Sequence, residues 1–193
     1  MSIVYLDDGQ GGSNKTIRFT GVNVQIVNGL GSTSGTGSPI DFVGVTNGTG
    51  NLIVGYNEAT FFPGAPPLDR TGSHNVVVGY GHNYTKFGGA VFGRENALNG
   101  AYSSILSGTS NASDAVASAI VSGLQNTLTF GSGATFDSVI VGGGQNDILG
   151  GKNVIVGGLS NQIIGGSVGA SSRRGRRRFQ QPHPGRGYGL DRL

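Results

Sequence analysis

The sequence predicts an all-β protein, a parallel β-roll or solenoid of about seven 15-residue coils with an N-terminal capping strand region. Three observations predict this fold. Gly makes up 38 of the 193 residues, and charged residues only 12%, whereas typical domains have about 7% Gly and about 25% charged residues. A short motif recurs along the chain, and each copy places two apolar residues side by side. Abundant Gly disfavours helices, and the lack of a Gly-X-Y period excludes collagen.

The repeated motif consists of two apolar residues, then small residues, then Asn. Its clearest copies are IVGGLSN at residues 155–161, IVGGGQN at 140–146, IVSGLQN at 120–126 and ILSGTSN at 105–111. More divergent copies are AVFGREN at 90–96, VVGYGHN at 77–83 and a shortened IVGYN at 53–57. Internal repetition of this kind is typical of solenoids.

The spacing of the copies sets the length of a coil. The second apolar residue falls at positions 54, 78, 91, 106, 121, 141 and 156, so the spacings are 24, 13, 15, 15, 20 and 15 residues. The unit is therefore about 15 residues long. The two long spacings indicate loop insertions near residues 60–74 and 129–137, which contain the Pro and Gly clusters typical of loops.

Fifteen residues are enough for two short strands and two tight turns. The apolar pair forms the first strand, and the Gly residues after it allow the positive φ of a turn. Asn begins the second strand, whose central residues are Leu98, Ser113, Leu128, Ile148 and Ile163. Seven coils stacked ~4.8 Å apart would form a rod on the order of 34 Å long.

Each apolar pair needs cover on two sides. Successive side chains of a strand point to opposite faces, and pairs such as Ile140/Val141 and Ile155/Val156 are apolar at both positions. This pattern is typical of strands that are buried on both faces. One face can fill the coil, and no predicted helix covers the other. We therefore expect copies of the same chain to cover it.

The sequence divides into three regions. Residues 1–50 lack the motif, and within them residues 16–27 alternate like a half-buried strand that is broken at Gly21. We expect this region to cap the solenoid, because an open end leaves backbone groups unpaired. Residues 51–170 form the β-roll repeat domain. Residues 171–193 form a basic tail that we expect to be disordered.

The charge of the chain is concentrated in that tail. Residues 171–193 contain seven Arg and one Asp, whereas residues 1–170 contain six Lys or Arg and nine Asp or Glu. Such a segment is able to contact phosphates or another anionic partner. The candidate residues are Arg173, Arg174, Arg176, Arg177 and Arg178. A solvated end, or an accidental sequence after a lost reading frame, is the alternative, because the repeat stops abruptly after Gly166.

The copies that end in Asn111, Asn126, Asn146 and Asn161 resemble the YadA-like head repeat of trimeric autotransporter adhesins. The resemblance covers roughly residues 75–166 and extends more weakly to Asn51. It implies a left-handed parallel β-roll, a homotrimer around one axis, and a surface-exposed protein that binds host or matrix ligands. The sequence shows no signal peptide, coiled-coil stalk or β-barrel anchor, so we expect export to depend on another system or on a signal outside it.

The Asn residues of the motif are its most regular polar feature. Stacked coils would align them, and we expect their amides to bond turn backbone groups and one another. A ligand-binding row is the alternative. The predicted structural row consists of Asn83, Asn96, Asn111, Asn126, Asn146 and Asn161.

The sequence predicts no catalytic residue, cofactor or metal. His74 and His82 flank one strand without a carboxylate cluster, so we expect surface turn positions, with a metal or proton-transfer role as the alternative. Residues 150–153, GGKN, lack the first Gly and the Ser or Thr of a phosphate loop. Asp147 alone cannot form a calcium ladder. The lack of Cys excludes disulfides and thiolate metal sites.

These features favour a non-enzymatic, surface-exposed trimeric module, adhesin-like or a structural spacer, on or outside a bacterial cell. The expected partners are the chain itself and a host or matrix surface ligand, without nucleic acid. Membrane insertion is not expected, because no apolar run reaches the roughly 18 residues of a membrane helix. A virion component such as a phage tail fibre is the alternative. Binding of nucleic acid or an anionic surface through the Arg-rich tail comes third.

Overall fold

The computed structural model describes residues 1–38, 41–59, 67–129 and 136–165. Within these ranges the chain forms fifteen β-strands and no helix. Thirteen of the strands stack in two parallel sheets, and the first two strands form a separate antiparallel hairpin. The predicted all-β parallel solenoid is therefore confirmed.

The hairpin consists of β1 (Ser2–Asp7) and β2 (Ser13–Arg18). The prediction of a strand over residues 16–27 is wrong beyond Arg18, because residues 19–27 form no strand. The alternating pattern is present there, but no neighbouring strand within the described residues pairs with it. A strand needs a hydrogen-bonded partner as well as a pattern.

The solenoid strands follow one another alternately into two sheets. The first sheet has the spatial order β14-β12-β10-β8-β6-β4-β3, and the second has the order β15-β13-β11-β9-β7-β5. Their bounds are β3 (Leu52–Val54), β4 (Val76–Tyr80), β5 (Asn83–Tyr84), β6 (Ala90–Arg94), β7 (Ala97–Leu98), β8 (Ser104–Ile105), β9 (Ala112–Ser113), β10 (Ala119–Ile120), β11 (Thr127–Thr129), β12 (Val139–Ile140), β13 (Asp147–Leu149), β14 (Val154–Ile155) and β15 (Gln162–Ile164).

One coil therefore contributes one strand to each sheet, as predicted from the 15-residue unit. The seven apolar motifs supply seven strands of the first sheet, but the second sheet has six strands within the described residues. The described part of the chain thus makes about six complete turns rather than seven. Residues 60–66 and 130–135, in the two predicted loop insertions, lie outside the described residues, and so does the predicted tail.

Each strand of the two sheets contributes one inward side chain to the interior of the solenoid. Stacked apolar residues fill this interior, and they include the central residues expected for the second strand of each coil. The buried members are Val77, Val91, Ile105, Ile120, Ile140 and Ile155 from the first sheet and Tyr84, Leu98, Leu128 and Ile148 from the second, with Ile163 packed against them. Burial of one such side chain contributes roughly 1.5–3 kcal/mol. Ser113 takes the corresponding place in β9 and is also fully buried.

The two residues of each apolar pair point to opposite sides, as the alternation of a strand requires. Ile140 is fully buried in the coil, whereas Val141 is 39% exposed on the outside. At β6 the predicted phase is wrong by one residue: Val91 aligns with Val77 and Ile105 in the interior. Phe92, rather than Val91, is the outward residue there.

The N-terminal loop at residues 28–38 and 41–50 lies against the first coils. Phe42 packs on Tyr102, with ring centroids 6.3 Å apart, and on Phe136 at 5.2 Å. Farther along, the backbone N–H of Gly48 donates to the carbonyl of Thr71 (2.8 Å). The part of residues 1–50 that contacts the solenoid is thus this loop.

A column of Gly residues lies at the corner where each first-sheet strand ends or has just ended. These residues have φ between 86° and 122° and are Gly55, Gly79, Gly93, Gly108, Gly123, Gly143 and Gly158. A Cβ added to Gly143 would overlap the carbonyl oxygen of Gly158 in the next coil. Both the positive φ and the close coil spacing therefore require Gly.

We predict that Gly143→Ala lowers the free energy of unfolding by about 2–4 kcal/mol, because it adds backbone strain and an overlap between coils. The neighbouring Gly142→Ala is the matched control, since nothing described lies within 4 Å of a Cβ there. That variant should be neutral or more stable by up to about 1 kcal/mol. Urea denaturation followed by circular dichroism measures both, and equal effects would contradict the corner assignment.

Candidate functional site

A ladder of asparagine side chains runs along the inside of one corner of the solenoid. The backbone N–H of Asn111 donates to Oδ1 of Asn96 (2.8 Å), and that of Asn126 donates to Oδ1 of Asn111 (2.9 Å). The same contact joins Asn146 to Asn126 and Asn161 to Asn146, each at 3.0 Å. We call Asn96, Asn111, Asn126, Asn146 and Asn161 the asparagine ladder. Each rung satisfies a backbone donor of the following coil.

The amide nitrogens of the ladder are occupied as well. Nδ2 of Asn126 donates to the carbonyls of Ser122 and Gly143, each at 3.2 Å. Nδ2 of Asn146 donates to the carbonyls of Gly142 and Gly158 and to Oδ1 of Asn126. Asn126 and Asn146 are fully buried. These side chains therefore hold adjacent coils together and offer no free group to a ligand.

The first position of this ladder is taken by His82 and not by the predicted Asn83. Nδ1 of His82 accepts the backbone N–H of Asn96 (3.2 Å), and Nε2 donates to the carbonyl of Val78 (3.2 Å). Asn83 lies one residue later, on β5, where it pairs with Ala97. His82 is 1% exposed, so the expectation of a surface turn position is wrong. Its two ring nitrogens bond as an asparagine amide does.

A second ladder, formed by Ser103, Ser118 and Ser138, lies at another corner and was not predicted from the sequence. Oγ of Ser103 accepts the backbone N–H of Ser118 (3.2 Å), and Oγ of Ser118 accepts that of Ser138 (3.1 Å). All three are buried. The available signal was their spacing of 15 and 20 residues, which matches the spacing of the asparagine motif over the same coils.

The residue before each rung has a left-handed backbone although it is not Gly. Glu95, Ser110, Gln125, Gln145 and Ser160 precede the asparagine ladder and have φ between 52° and 55°. This conformation turns the chain so that the next side chain points inward. Each of these turns therefore contains two residues with positive φ. One is the Gly of the motif, and the other is the residue before the rung.

The outer face of the first sheet is almost entirely apolar. It consists of the residues on either side of each inward-facing one, and within the described strands Ser104 is the one polar residue among these; Arg94 lies farther along β6. Its residues are Leu52, Val54, Val76, Val78, Ala90, Phe92, Ser104, Leu106, Ala119, Val121, Val139, Val141, Val154 and Val156. None of them is fully buried by the described part of the chain. Contiguous apolar surface of this kind marks an interaction site.

The outer face of the second sheet is more polar than that of the first. It contains Thr127, Asp147 and Gln162, and Nε2 of Gln162 donates to Oδ2 of Asp147 (3.2 Å). Beside them, Nδ2 of Asn99 donates to Oδ1 of Asp114 (2.9 Å). The apolar members of this face are Ala97, Ala112, Leu149 and Ile164. Polar side chains bonded along the stack are typical of a face in water. The outside of the solenoid is therefore apolar on the first sheet and mixed, with bonded polar groups, on the second.

A cleft of about 500 Å³ lies between the N-terminal loop and the solenoid, lined in part by Phe42, Lys86, Asn99 and Asp114. Its polar groups already have partners. Nζ of Lys86 donates to the carbonyl of Val43 (3.0 Å), and Asn99 bonds Asp114 as described above. The cleft is thus the junction at which the loop is attached.

The remaining predicted positions are His74 and the five arginines of the tail. Nε2 of His74 accepts the backbone N–H of Asn28 (3.1 Å). Among the described residues, no three His, Asp or Glu side chains come together in a way that could hold a metal ion. Neither do those residues include a helix of the length and apolarity needed to cross a membrane. The candidate tail residues Arg173, Arg174, Arg176, Arg177 and Arg178 lie outside the described residues.

Comparison with known proteins adds no relative. No family model matches the chain, and neither a curated protein nor a solved structure shows a significant match.

We predict that Asn126→Ala destabilises the protein by about 3 kcal/mol, because it leaves the buried N–H of Asn146 without an acceptor and removes the amide donor to the carbonyls of Ser122 and Gly143. Asn161→Ala is the comparison, since this rung is exposed and should cost about 1 kcal/mol. Chemical denaturation measures both. Equal losses would show that the buried rungs have no special role.

We predict a stability loss at acidic pH that depends on His82. Burial lowers the pKa of His82 from 6.5, although its bonds to Val78 and Asn96 oppose the shift. The unfolded chain then takes up a proton near pH 6.5 that the folded chain binds only at lower pH. Stability is therefore complete above 6.5 and falls as the pH drops below it.

The control is His82→Asn, which places an amide at the rung and removes this proton. Unfolding free energies compared at pH 8 and pH 5 should differ in the native protein and less in the variant. Asp8 does not interfere, because backbone bonds from Gln10 and Gly12 lower its pKa from 3.8. An unchanged pH dependence in the variant would refute the role of His82.

Proposed function

We propose that the protein is a non-enzymatic, surface-exposed trimeric module, adhesin-like or acting as a structural spacer, on or outside a bacterial cell. The observation that supports this proposal is the apolar outer face of the first sheet. Water contact with a row of Val, Leu and Phe side chains is unfavourable by roughly 25 cal/mol per Å². A second copy of the chain offers the same row of apolar side chains at the same coil spacing.

A threefold arrangement fits the distribution of the apolar surface better than a pair. Beyond the first sheet the chain turns a corner, and Leu124 and Leu159 lie there, 51% and 72% exposed. Leu124 and Leu159 thus extend the apolar surface onto the adjoining facet, in a row that also contains Arg94 and Thr109. A face-to-face dimer covers one facet, whereas three copies around an axis let each copy present two facets to two neighbours.

The interior of the solenoid supports a mechanical role. The amides of the asparagine ladder and the hydroxyls of the serine ladder are consumed by bonds between coils. A stack held in this way is a stiff rod, on the order of 34 Å long for seven strands. Such a rod sets a distance or presents its more polar face to a partner. The family resemblance of the motif adds the expectation of a host or matrix ligand on that face.

We predict that the full chain elutes with three times its 19.6 kDa mass in size-exclusion chromatography with light scattering. Ala119→Lys, on the outer face of the first sheet, should weaken association at least about a hundredfold, because the charge would be buried without a partner. Ala112→Lys, on the more polar outer face of the second sheet, is the matched control and should remain trimeric. A folded monomer in the unmodified chain would refute the proposal.

Adhesion and spacing are separated by a binding assay on the same samples. An adhesin-like module should bind an immobilised extracellular-matrix preparation above an albumin-coated surface, and the Ala119→Lys monomer should bind more weakly through loss of avidity. A trimer without such binding supports the spacer role. The two alternatives, a phage tail-fibre component and nucleic-acid binding through the Arg-rich tail, are not tested by this assay and stay predictions.

A further inference from the structure

The N-terminal arm, which we define as residues 1–27, exposes most of its large apolar side chains. Ile3, Tyr5 and Ile17 of the hairpin are 60–66% exposed. An isolated two-stranded hairpin is marginally stable at best in water. The arm therefore lacks a partner for its apolar side chains within the described part of the chain.

Residues 19–27 of the arm also lack backbone partners. Within the described residues, no backbone hydrogen bond joins them to another residue. Val22, Val24 and Ile26 alternate with Asn23 and Gln25 and are 64%, 60% and 41% exposed. Alternating apolar and polar residues, together with unpaired backbone N–H and carbonyl groups, are typical of a strand that has no neighbouring strand at its edge and no cover on its apolar face. What fits such a segment is another strand.

The arm leaves the solenoid beside the apolar side of the molecule. The backbone N–H of Asn28 bonds Nε2 of His74, and its carbonyl accepts Nδ2 of Asn47 (2.8 Å). Gly50 lies so close that an added Cβ would contact Val27 and Asn28. Gly50 comes just before β3, the N-terminal edge strand of the first sheet. Copies packed through that sheet would bring their arms together.

We propose that residues 19–27 pair as β-strands, in parallel and in register, with the same segments of the neighbouring copies of this chain, because copies related by a threefold axis run in the same direction. The arm is neutral, because Asp7 and Asp8 are balanced by Lys15 and Arg18. It therefore has no charge that would select an acidic or a basic partner, and pairing with itself brings no net repulsion. This inference rests on the proposed function, since the outer face of the first sheet brings the copies together.

Single cysteines in the full chain test the pairing, because the natural sequence contains no Cys. The substitutions are Val22→Cys, Val24→Cys and Ile26→Cys on one face of the expected strand, and Asn23→Cys and Gln25→Cys on the other. Val43→Cys is the control for random collision, since Val43 is 71% exposed on the N-terminal loop. After mild oxidation, disulfide-linked dimers are measured on non-reducing gels.

Parallel, in-register pairing places each residue beside the same residue of the neighbouring copy. It therefore predicts crosslinking at all five arm positions that is at least fivefold above Val43→Cys. Hydrogen exchange of the unmodified chain should show amides of residues 19–27 that exchange at least tenfold more slowly than an unstructured peptide. A trimer in which the arm cysteines crosslink no more than Val43→Cys and the amides are unprotected would overturn the pairing and leave the proposed function standing. A monomeric full chain would overturn both.

Discussion

The structure depends on the satisfaction of backbone donors at the corners of a very thin coil. Each coil turns sharply between two short strands, and at these turns backbone N–H groups point inward where no water reaches them. Side chains of the preceding coil, Asn at one corner and Ser at another, accept hydrogen bonds from those groups. An unsatisfied buried donor costs about 1–3 kcal/mol. The repeat must therefore keep its phase from coil to coil, and residues are added in loops between the strands.

The same geometry determines which surfaces of the molecule are available for binding. Because each strand buries one side chain and presents its other residues outward, the residues of each strand decide whether its outer surface is apolar or polar. The first sheet presents Val, Leu and Phe, and the second presents Thr, Asp and Gln. The amides of the buried rungs Asn126 and Asn146 are enclosed and bonded. Interaction through outer faces is thus the capability that this architecture offers, and the neutral arm beside the first sheet extends it.

Three differences between sequence expectation and structure have physical causes. Val91 is 14 rather than 15 residues from Val77 and from Ile105, the residues with which it aligns in the interior. Counting along the motif alone therefore aligned Val91 with Val78 and Leu106, which point outward. His82 replaces Asn at the first rung because its ring offers one acceptor and one donor, as an amide does. The strand expected beyond Arg18 is absent because alternation describes a surface and does not supply a pairing partner.

The sequence by itself determined the repeat length, the all-β class, the buried centres such as Leu128 and Ile148, and the two-sided character of each apolar pair. These are local properties, set by neighbouring residues and by the strand period. Only the tertiary structure decided which polar side chains become rungs. The partners of Ser118 and Asn126 lie 15 or 20 residues away in the chain, and stacking alone brings those groups within hydrogen-bonding distance.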